Sequence, residues 1–408
     1  MVAPEDASCR FCCVLCLVGL LIGCSERSVD EQVDLGNASD YGVTERTIKI
    51  GTHSDLTGPA ALFGIQSVNG AQMRFDEVNA QGGIHGRQID FIVEDSQYDV
   101  SRSLSAANKL LHQDKIFAML IAAGTPNNNA VLTQQLPLGV PNLFPLSGSL
   151  DMSTPLHPLK FAQRGNYFIE MQHLSRHFVE KYDIQRPCII FVDNDFGHEV
   201  RDGVMEGLSS MGVELVEVSS HKATETEFTS TLIRFREADC DLLLLGTILR
   251  DTILLLEGMR KMDWQHVLRV GNSAAASRPI AEIPSGAAEG YYAITHIKPI
   301  YPDQPGHSSS AIAWFEKYFE SHGEQPDVPA MEGYRAADLL CIALERAGPQ
   351  PTRRKFLAAL ESINHYEDIF GNILSFSATD HTGVDRAVLI RVENGHWVPQ
   401  PTSIELGK

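Results

Sequence analysis

The stretch IGTHSDLTGPAALFGIQSVNGAQMRFDEVNAQGGIHGRQI, residues 50–89, is the part of the sequence that decides the fold. Ile48, just before the stretch, and Ile50 alternate with polar neighbours up to Gly51. Apolar residues then recur at helical spacing from Val68 to Val78, and Gly82 follows. This pattern predicts a strand, a polar loop, an amphipathic helix, a Gly-rich turn and a second strand. The loop follows the carboxyl end of a strand, which is the edge of an open α/β sheet where ligands bind.

The sequence has 408 residues and a formal net charge of −19 at pH 7. This length is enough for two or three domains, each with its own hydrophobic core. The negative charge argues against a nucleic-acid-binding protein, because such proteins need cations to neutralise phosphates. The histidines show neither an HExxH motif nor a paired-ligand spacing, so we expect no metal site and no cofactor.

The amino terminus, residues 1–23, is predicted to be a lipoprotein signal peptide. The 13-residue apolar run Phe11 to Gly23 is too short to cross a bilayer and has the length of a signal-peptide core. It leads into Leu21-Ile22-Gly23-Cys24, which resembles a bacterial lipobox, so Cys24 is the expected lipidation site. An ordinary cleaved signal peptide is the alternative. The polar, acidic residues 24–46 predict a flexible tether.

Three cysteines follow the predicted lipidation site: Cys188, Cys240 and Cys341. Cys188 and Cys240 both lie where predicted strands begin, so they could be neighbours in a sheet. Their spacing fits no metal site. Buried free thiols are the preferred interpretation, with a disulfide between Cys188 and Cys240 left open.

From Thr47 onward, apolar strand-like runs alternate with amphipathic helical stretches. The runs lie near 48–51, 89–94, 116–121 and 142–145, and then near 188–193, 214–218, 242–246, 267–271 and 291–295. Such alternation predicts an α/β fold with parallel sheets covered by helices, and the two series predict two doubly wound lobes. Later helices are predicted near 308–321, 332–347 and 353–362, and later strands near 373–376 and 387–393.

The order of these pieces, with SDLTGPAALFG before the first helix and NAQGGIHGRQI after it, resembles the type I periplasmic solute-binding proteins, and within them the branched-chain amino acid and amide binding branch. The resemblance covers about residues 47–400. It implies two lobes joined by a three-stranded hinge, with crossings near 164–166, 295–299 and 376–380. The implied lobes are 47–164 plus 299–376 and 165–298 plus 377–400, followed by a tail, 401–408.

Two segments are candidates for holding a ligand carboxylate. Thr125 as N-cap with Pro126 after it predicts a helix start at the end of a strand, where unsatisfied N–H groups form an anion site. Thr125 could equally cap only its own helix. The resemblance implies that Gly124 and Thr125 receive the ligand carboxylate and that Ser147-Gly148-Ser149 completes the pocket. The alternative for the second segment is a plain Ser/Gly loop.

Amino-acid binders of the resembling family hold the ligand ammonium with a carboxylate and several tyrosine hydroxyls, because a buried cation must be paired. The matching positions in this chain are Phe63, Phe196, Ile248 and Ser273. Two of them lack the tyrosine hydroxyl, one is aliphatic and one has a serine in place of the carboxylate. We therefore predict a small carboxylate or amide with an apolar or aromatic body as the ligand. A branched-chain amino acid is the alternative.

The resemblance also implies that Tyr334 lies near the cleft, although a tyrosine on a helix face is equally often part of the core. The expected protein is a lipid-anchored, periplasmic monomer that closes on one small solute and delivers it to the permease and ATPase subunits of an ABC importer. A ligand sensor for a membrane regulator is an alternative. Gly271–Ala275 is similar to a nucleophile elbow, but its last glycine is missing, so we do not expect an enzyme.

Overall fold

A computed structural model of the protein describes residues 41–406. The predicted signal peptide, the lipidation site Cys24 and most of the predicted tether lie outside these residues. Within 41–406, no helix combines the length and the hydropathy that a membrane span needs.

The first lobe contains a five-stranded sheet in which every pair of strands is parallel. Its strands are β1 (Thr47–Ser54), β2 (Gln88–Asp95), β3 (Ala118–Leu120), β4 (Asn142–Leu143) and β5 (Lys160–Phe161), in the spatial order β2-β1-β3-β4-β5. The connecting helices are α1 (Ala61–Ala80), α2 (Val100–Asn108), which a π-helical turn extends to Asp114, and α3 (Thr125–Gln135). Parallel strands place the loops that follow them at one edge of the sheet.

The second lobe repeats this alternation. Its parallel strands are β6 (Pro187–Val192), β7 (Glu217–His221), β8 (Leu242–Gly246), β9 (Leu268–Gly271) and β10 (Tyr292–Thr295). Its helices are α4 (Tyr167–Tyr182), α5 (Asp195–Ser209), α6 (Thr229–Glu237), α7 (Leu249–Lys261) and the short α8 (Arg278–Ala281). Fully buried Ile190, Leu245 and Leu256 are part of its hydrophobic core.

The chain then returns to the first lobe with three helices, of which α10 packs along α1. They are α9 (Ser309–His322), α10 (Val328–Ala347) and α11 (Arg353–Glu361), and a small hairpin of β11 (Tyr366–Glu367) and β12 (Ile373–Leu374) follows. The last strands, β13 (Arg386–Glu393) and β14 (His396–Glu405), join the second sheet beside β10. The chain thus passes between the sheets after β5, after β10 and before β13.

The predicted α/β fold with two doubly wound lobes is confirmed, with two differences at its edge. Strands β13 and β14 pair antiparallel, so the second sheet is mixed. The predicted tail from residue 401 instead continues β14 to Glu405. Pro399 and Pro401 hide this strand from pattern analysis, yet β14 lies at the sheet edge, where proline is tolerated.

Cys188 and Cys240 form a disulfide bond, so the preferred interpretation of these two as free thiols is wrong. Cys188 is the second residue of β6 and Cys240 lies two positions before β8. These two strands are neighbours in the sheet. Their Cα atoms lie 5.9 Å apart, within the usual range for a disulfide. Cys341 is a buried free thiol.

Candidate functional site

A cavity lies between the two lobes, and its walls are made by the segments that follow strand ends. The first lobe contributes segments after β1 to β5, and the second lobe contributes segments after β6, β8 and β9 together with the start of α4. The lining residues are Ala60, Phe63, Tyr98, Ala123, Gly124, Thr125, Leu146, Arg164, Tyr167, Phe196, Ile248, Leu249 and Ala274. Its volume is about 40 Å³. This is smaller than the roughly 300–1,000 Å³ of most ligand pockets, so the lining must move apart to admit a ligand.

Most of the lining is aromatic or aliphatic. Four rings contribute, those of Phe63, Tyr98, Tyr167 and Phe196, and the Tyr167 and Phe196 rings meet edge to face with centroids 4.9 Å apart. None of the described lining residues is acidic. Among residues 41–406, no group of three or more His, Cys, Asp and Glu side chains is placed to hold a metal ion. The arrangement can therefore enclose an apolar ligand body.

The loop after β1 positions Phe63. The buried Asp55 carboxylate at its start accepts hydrogen bonds from the backbone N–H groups of Gly58 (2.5 Å) and Ala60 (2.7 Å). Helix α1 then begins so close to this loop that a Cβ on Gly64 would lie 1.8 Å from the Asp55 carbonyl oxygen. The tight loop and the glycine together direct the first turn of α1, with Phe63, towards the cavity.

Helix α3 begins at the cavity wall, but not with the predicted cap. Thr125 is its first helical residue, and the N-cap position is Gly124, whose φ of +91° favours glycine. The Thr125 hydroxyl makes no capping bond and instead lies 2.8 Å from the Ser147 hydroxyl. The first N–H groups of a helix have no intrahelical partner. The start of α3 therefore offers donors and partial positive charge to an acceptor in the cavity.

The structure places the segment Ser147-Gly148-Ser149 against a second cavity. Ser147 supports Thr125 and also accepts a hydrogen bond from the Ser149 N–H (3.2 Å), while Ser149 accepts one from the Asp151 N–H. The second cavity lies between this loop, residues 162–169 and residues 379–384, and its volume is about 280 Å³. Direct ligand contact by these serines remains a prediction.

In the second lobe, Phe196 and Ile248 line the cavity, whereas Ser273 lies just behind its neighbour Ala274. The Ser273 N–H lies 3.3 Å from a carboxylate oxygen of Glu170, which is fully buried on α4. Burial raises the pKa of Glu170 to about 7. The carboxylate of Glu170 thus lies beside Ser273, the position where the sequence comparison found a serine in place of the family's carboxylate. Sequence reasoning missed it because the two residues are 103 positions apart.

Tyr334 is not among the residues that line either cavity. It lies on α10, where its hydroxyl donates to Glu77 on α1 at 2.8 Å. Its ring packs against the rings of Trp314 and Phe370. The helix-face position therefore belongs to the packing of the first lobe, which is the alternative that the sequence left open.

Among the lining residues with polar or charged side chains, three were not singled out from the sequence: Tyr98, Arg164 and Tyr167. Arg164 forms a buried two-point ion pair with Glu332, with Nε–Oε1 at 2.8 Å and Nη2–Oε2 at 2.5 Å. Its third group, Nη1, donates to the Tyr167 hydroxyl at 3.3 Å. The only sequence signal for Arg164 was its place at a predicted hinge crossing. Its ion pair could not be foreseen, because Glu332 is 168 residues away.

Glu332 also contacts the segment after β10, where the chain passes between the lobes for the second time. His296, just after β10, lies with Nε2 2.8 Å from Glu332 Oε1. Burial alone would raise the pKa of Glu332, but the attraction of Arg164 and the hydrogen bond from His296 outweigh it and lower the pKa to about 2. The ionised carboxylate therefore ties Arg164 and His296, on two passages, to helix α10.

Comparison with known proteins agrees with this architecture. The family model for periplasmic binding proteins matches residues 47–396. A leucine-, isoleucine-, valine-, threonine- and alanine-binding protein of Pseudomonas aeruginosa is 20% identical over 337 residues, which are 82% of this chain and 87% of that protein. A Leu/Ile/Val/Thr-binding protein of Salmonella typhimurium is 22% identical, but the chain spans only about half of its length, 54%.

Two solved structures show the same fold. A fatty acid ABC transporter substrate-binding protein from Thermomonospora curvata has a TM-score of 0.79 and 23% identity, covering 90% of this chain and 94% of that one. A solute-binding protein of an ABC transporter from R. palustris, in complex with benzoate, has a TM-score of 0.75 and 17% identity, covering 86% and 95%. Because the family model spans most of the sequence, the predicted family is confirmed, and this chain belongs to the periplasmic binding proteins, a family of substrate-binding proteins.

Proposed function

We propose that this chain is the extracytoplasmic substrate-binding component of an ABC importer and that it binds a small carboxylate, or an amide, with an apolar or aromatic body. The observation that carries the proposal is the chemistry of the interlobe cavity. Its walls are largely aromatic and aliphatic, its polar groups are the donors at the start of α3 and on Arg164 together with the hydroxyls of Tyr98 and Tyr167, and no described lining residue is acidic. The lobes would close on the ligand and so report its presence to the permease.

The lack of an acidic lining residue argues against a free amino acid. An ammonium group that leaves water must find an anionic or hydrogen-bonding partner, and without one its burial costs several kcal/mol, by order of magnitude. A carboxylate has the opposite requirement, which the N–H groups at Thr125 and the guanidinium of Arg164 meet. Apolar contact with Phe63 and Phe196 would then supply most of the affinity.

A branched-chain amino acid is the second candidate, and one observation favours it. The Glu170 carboxylate lies beside Ser273, at the wall where an amino-acid binder needs a negative charge. Its Oε1 atom has no hydrogen-bond partner among residues 41–406. The similar proteins support both candidates, since they include a Leu/Ile/Val-type binder as well as a fatty acid transporter's binding protein and one in complex with benzoate.

The family of the protein and its disulfide bond support a location outside the cytoplasm. The family is periplasmic, and the disulfide between Cys188 and Cys240 agrees with an oxidising compartment. A lipid anchor on Cys24 and delivery to permease and ATPase subunits complete the proposal. A sensor for a membrane regulator would use the same cavity, and loss of solute uptake on gene deletion would distinguish transport from sensing.

The ligand class can be tested by thermal unfolding of the purified protein with leucine, valine, hexanoate, benzoate and benzamide. A true ligand at about 100 times its dissociation constant should stabilise the protein by roughly 2.7 kcal/mol. We expect hexanoate or benzoate to do so and leucine to have no effect. Stabilisation by leucine or valine alone would replace the proposal with the amino-acid candidate.

A further inference from the structure

We infer that Arg164 is the residue by which the cavity distinguishes an anionic ligand from a neutral one of the same shape. This inference rests on the proposed function, because it assigns the charge selectivity of that same site. It gives a ligand-binding role to a residue whose ion pair with Glu332 would otherwise be read as part of the hinge alone.

The first step is the position of the guanidinium group. Arg164 follows β5, where the chain leaves the first lobe, and its side chain is only 3% exposed to solvent. It lines both the interlobe cavity and the second cavity. A charged group at this place is within reach of a ligand in either space.

The second step is the inventory of its donors. A guanidinium has five N–H groups, and three of them are used by Glu332 and by the Tyr167 hydroxyl. The other two, one on Nη1 and one on Nη2, have no hydrogen-bond partner among residues 41–406. Buried donors favour an acceptor, and an anionic acceptor most of all.

The third step is the rigidity of the group. Glu332 holds Nε and Nη2 from one side, and His296 fixes the same carboxylate from the second passage between the lobes. The ring of Phe63, itself part of the cavity wall, lies 5.9 Å from the guanidinium carbon. A guanidinium held in this way presents its remaining N–H groups in a fixed direction, which makes it selective.

The fourth step separates Arg164 from Thr125. The hydroxyl and the N–H groups at the start of α3 can bind the oxygen of a carboxylate or of an amide, so they do not distinguish the two. A guanidinium fork does distinguish them, because an amide replaces one acceptor oxygen with an NH₂ donor that faces the N–H groups of Arg164. Arg164 and Thr125 should therefore have different effects on selectivity.

The test compares matched acids and amides, benzoate with benzamide and hexanoate with hexanamide, by titration calorimetry at pH 7.5. We expect the wild-type protein to bind each acid at least tenfold more tightly than its amide. In the double variant R164Q/E332Q, which removes both buried charges together, this ratio should fall to about twofold or less. The single variant E332Q differs from it only at position 164 and, because Arg164 keeps its positive charge there, should prefer the acid more strongly than the double variant does.

Thr125→Val is the second control, because it should weaken the binding of acid and amide alike and leave their ratio unchanged. Thermal unfolding shows whether each variant is folded, and the double variant can be compared with the wild type directly if E332Q is unstable. A folded double variant with the wild-type ratio would overturn the inference while the proposed function stands, as would equal binding of acid and amide by the wild type. If neither acids nor amides bind and leucine does, the proposed ligand class and the inference both fail.

Discussion

Glu199 on α5 accepts a hydrogen bond from the backbone N–H of Leu150 at 2.7 Å, and this bond joins the two lobes. The same carboxylate oxygen accepts a second bond, 3.0 Å long, from Asn166 at the start of α4. Leu150 lies in the loop after β4 of the first lobe, so separation of the lobes at this point would break its bond to Glu199. The carboxylate therefore stabilises this arrangement of the lobes without lining the interlobe cavity.

Replacing Glu199 with alanine should weaken ligand binding about tenfold. A hydrogen bond to a charged acceptor contributes roughly 1.5–3 kcal/mol, and partial exposure places this one at the lower end. Calorimetric titration of Glu199→Ala with the best acid of the panel measures the effect. The exposed Glu206→Ala on the same helix is the control, and equal affinities of the two variants would contradict the prediction.

Phe63→Ala should weaken the binding of benzoate or hexanoate roughly tenfold or more, because burying a phenylalanine-sized apolar surface contributes about 1.5–3 kcal/mol. Phe63 is only half-buried, so its removal should have little effect on the unfolding temperature. Phe319→Ala on α9, where the ring is 48% exposed, is the control and should change neither quantity. An unchanged dissociation constant for Phe63→Ala would remove this residue from the site.

The ion pair of Glu332 should make the protein sensitive to acid. Its folded-state pKa of about 2 lies below the ordinary value of 4.5, so its contribution is fully present above pH 4.5 and is lost as the pH falls towards 2. The loss is on the order of 3 kcal/mol. Denaturant unfolding between pH 5 and 3 should show a steeper fall of the free energy of unfolding for the wild type than for Glu332→Gln. Parallel curves would contradict this assignment.

Glu170 should have the opposite effect. Its pKa of about 7, raised by burial from 4.5, means that the folded state holds the proton more tightly than the unfolded state. Its contribution to stability is therefore present below pH 4.5 and is lost as the pH rises to 7, by an amount on the order of 3 kcal/mol. Glu170→Gln should unfold at a higher temperature than the wild type at pH 8 and at a similar one at pH 4. A variant that is less stable than the wild type at pH 8 would contradict this prediction.

Loss of the disulfide should lower the free energy of unfolding by about 2–4 kcal/mol, because the bridge closes a long loop of the unfolded chain between residues 52 positions apart. Ligand affinity should not change, since the bridge lies at the amino ends of β6 and β8 and the cavity lies at the carboxyl ends. The double variant C188S/C240S tests both expectations by thermal unfolding and titration. Cys341→Ser, which keeps the bridge, is the control for the loss of a buried thiol.

Local patterns in the sequence were sufficient for the fold, and the family resemblance added the site residues Phe63, Phe196 and Ile248. The alternation of strand and helix periods predicts two α/β lobes, because these periods reflect which face of each element is buried. Phe63, Thr125, Phe196 and Ile248 reach the cavity because each closely follows the end of a parallel strand, and such ends meet at one edge of a sheet.

The remaining features depend on which distant segments pack together, and no local pattern records that. The pairs Arg164–Glu332, Glu170–Ser273 and Cys188–Cys240 join residues 168, 103 and 52 positions apart. Tyr334 was expected near the cleft from the resemblance, but its side chain faces α1 and not the cavity. The sequence determined the two α/β lobes, and its family resemblance indicated the cleft between them and the strand ends that form it. Only the tertiary structure decided which charges lie beside that cleft, because a buried charge is tolerated only where packing supplies its partner.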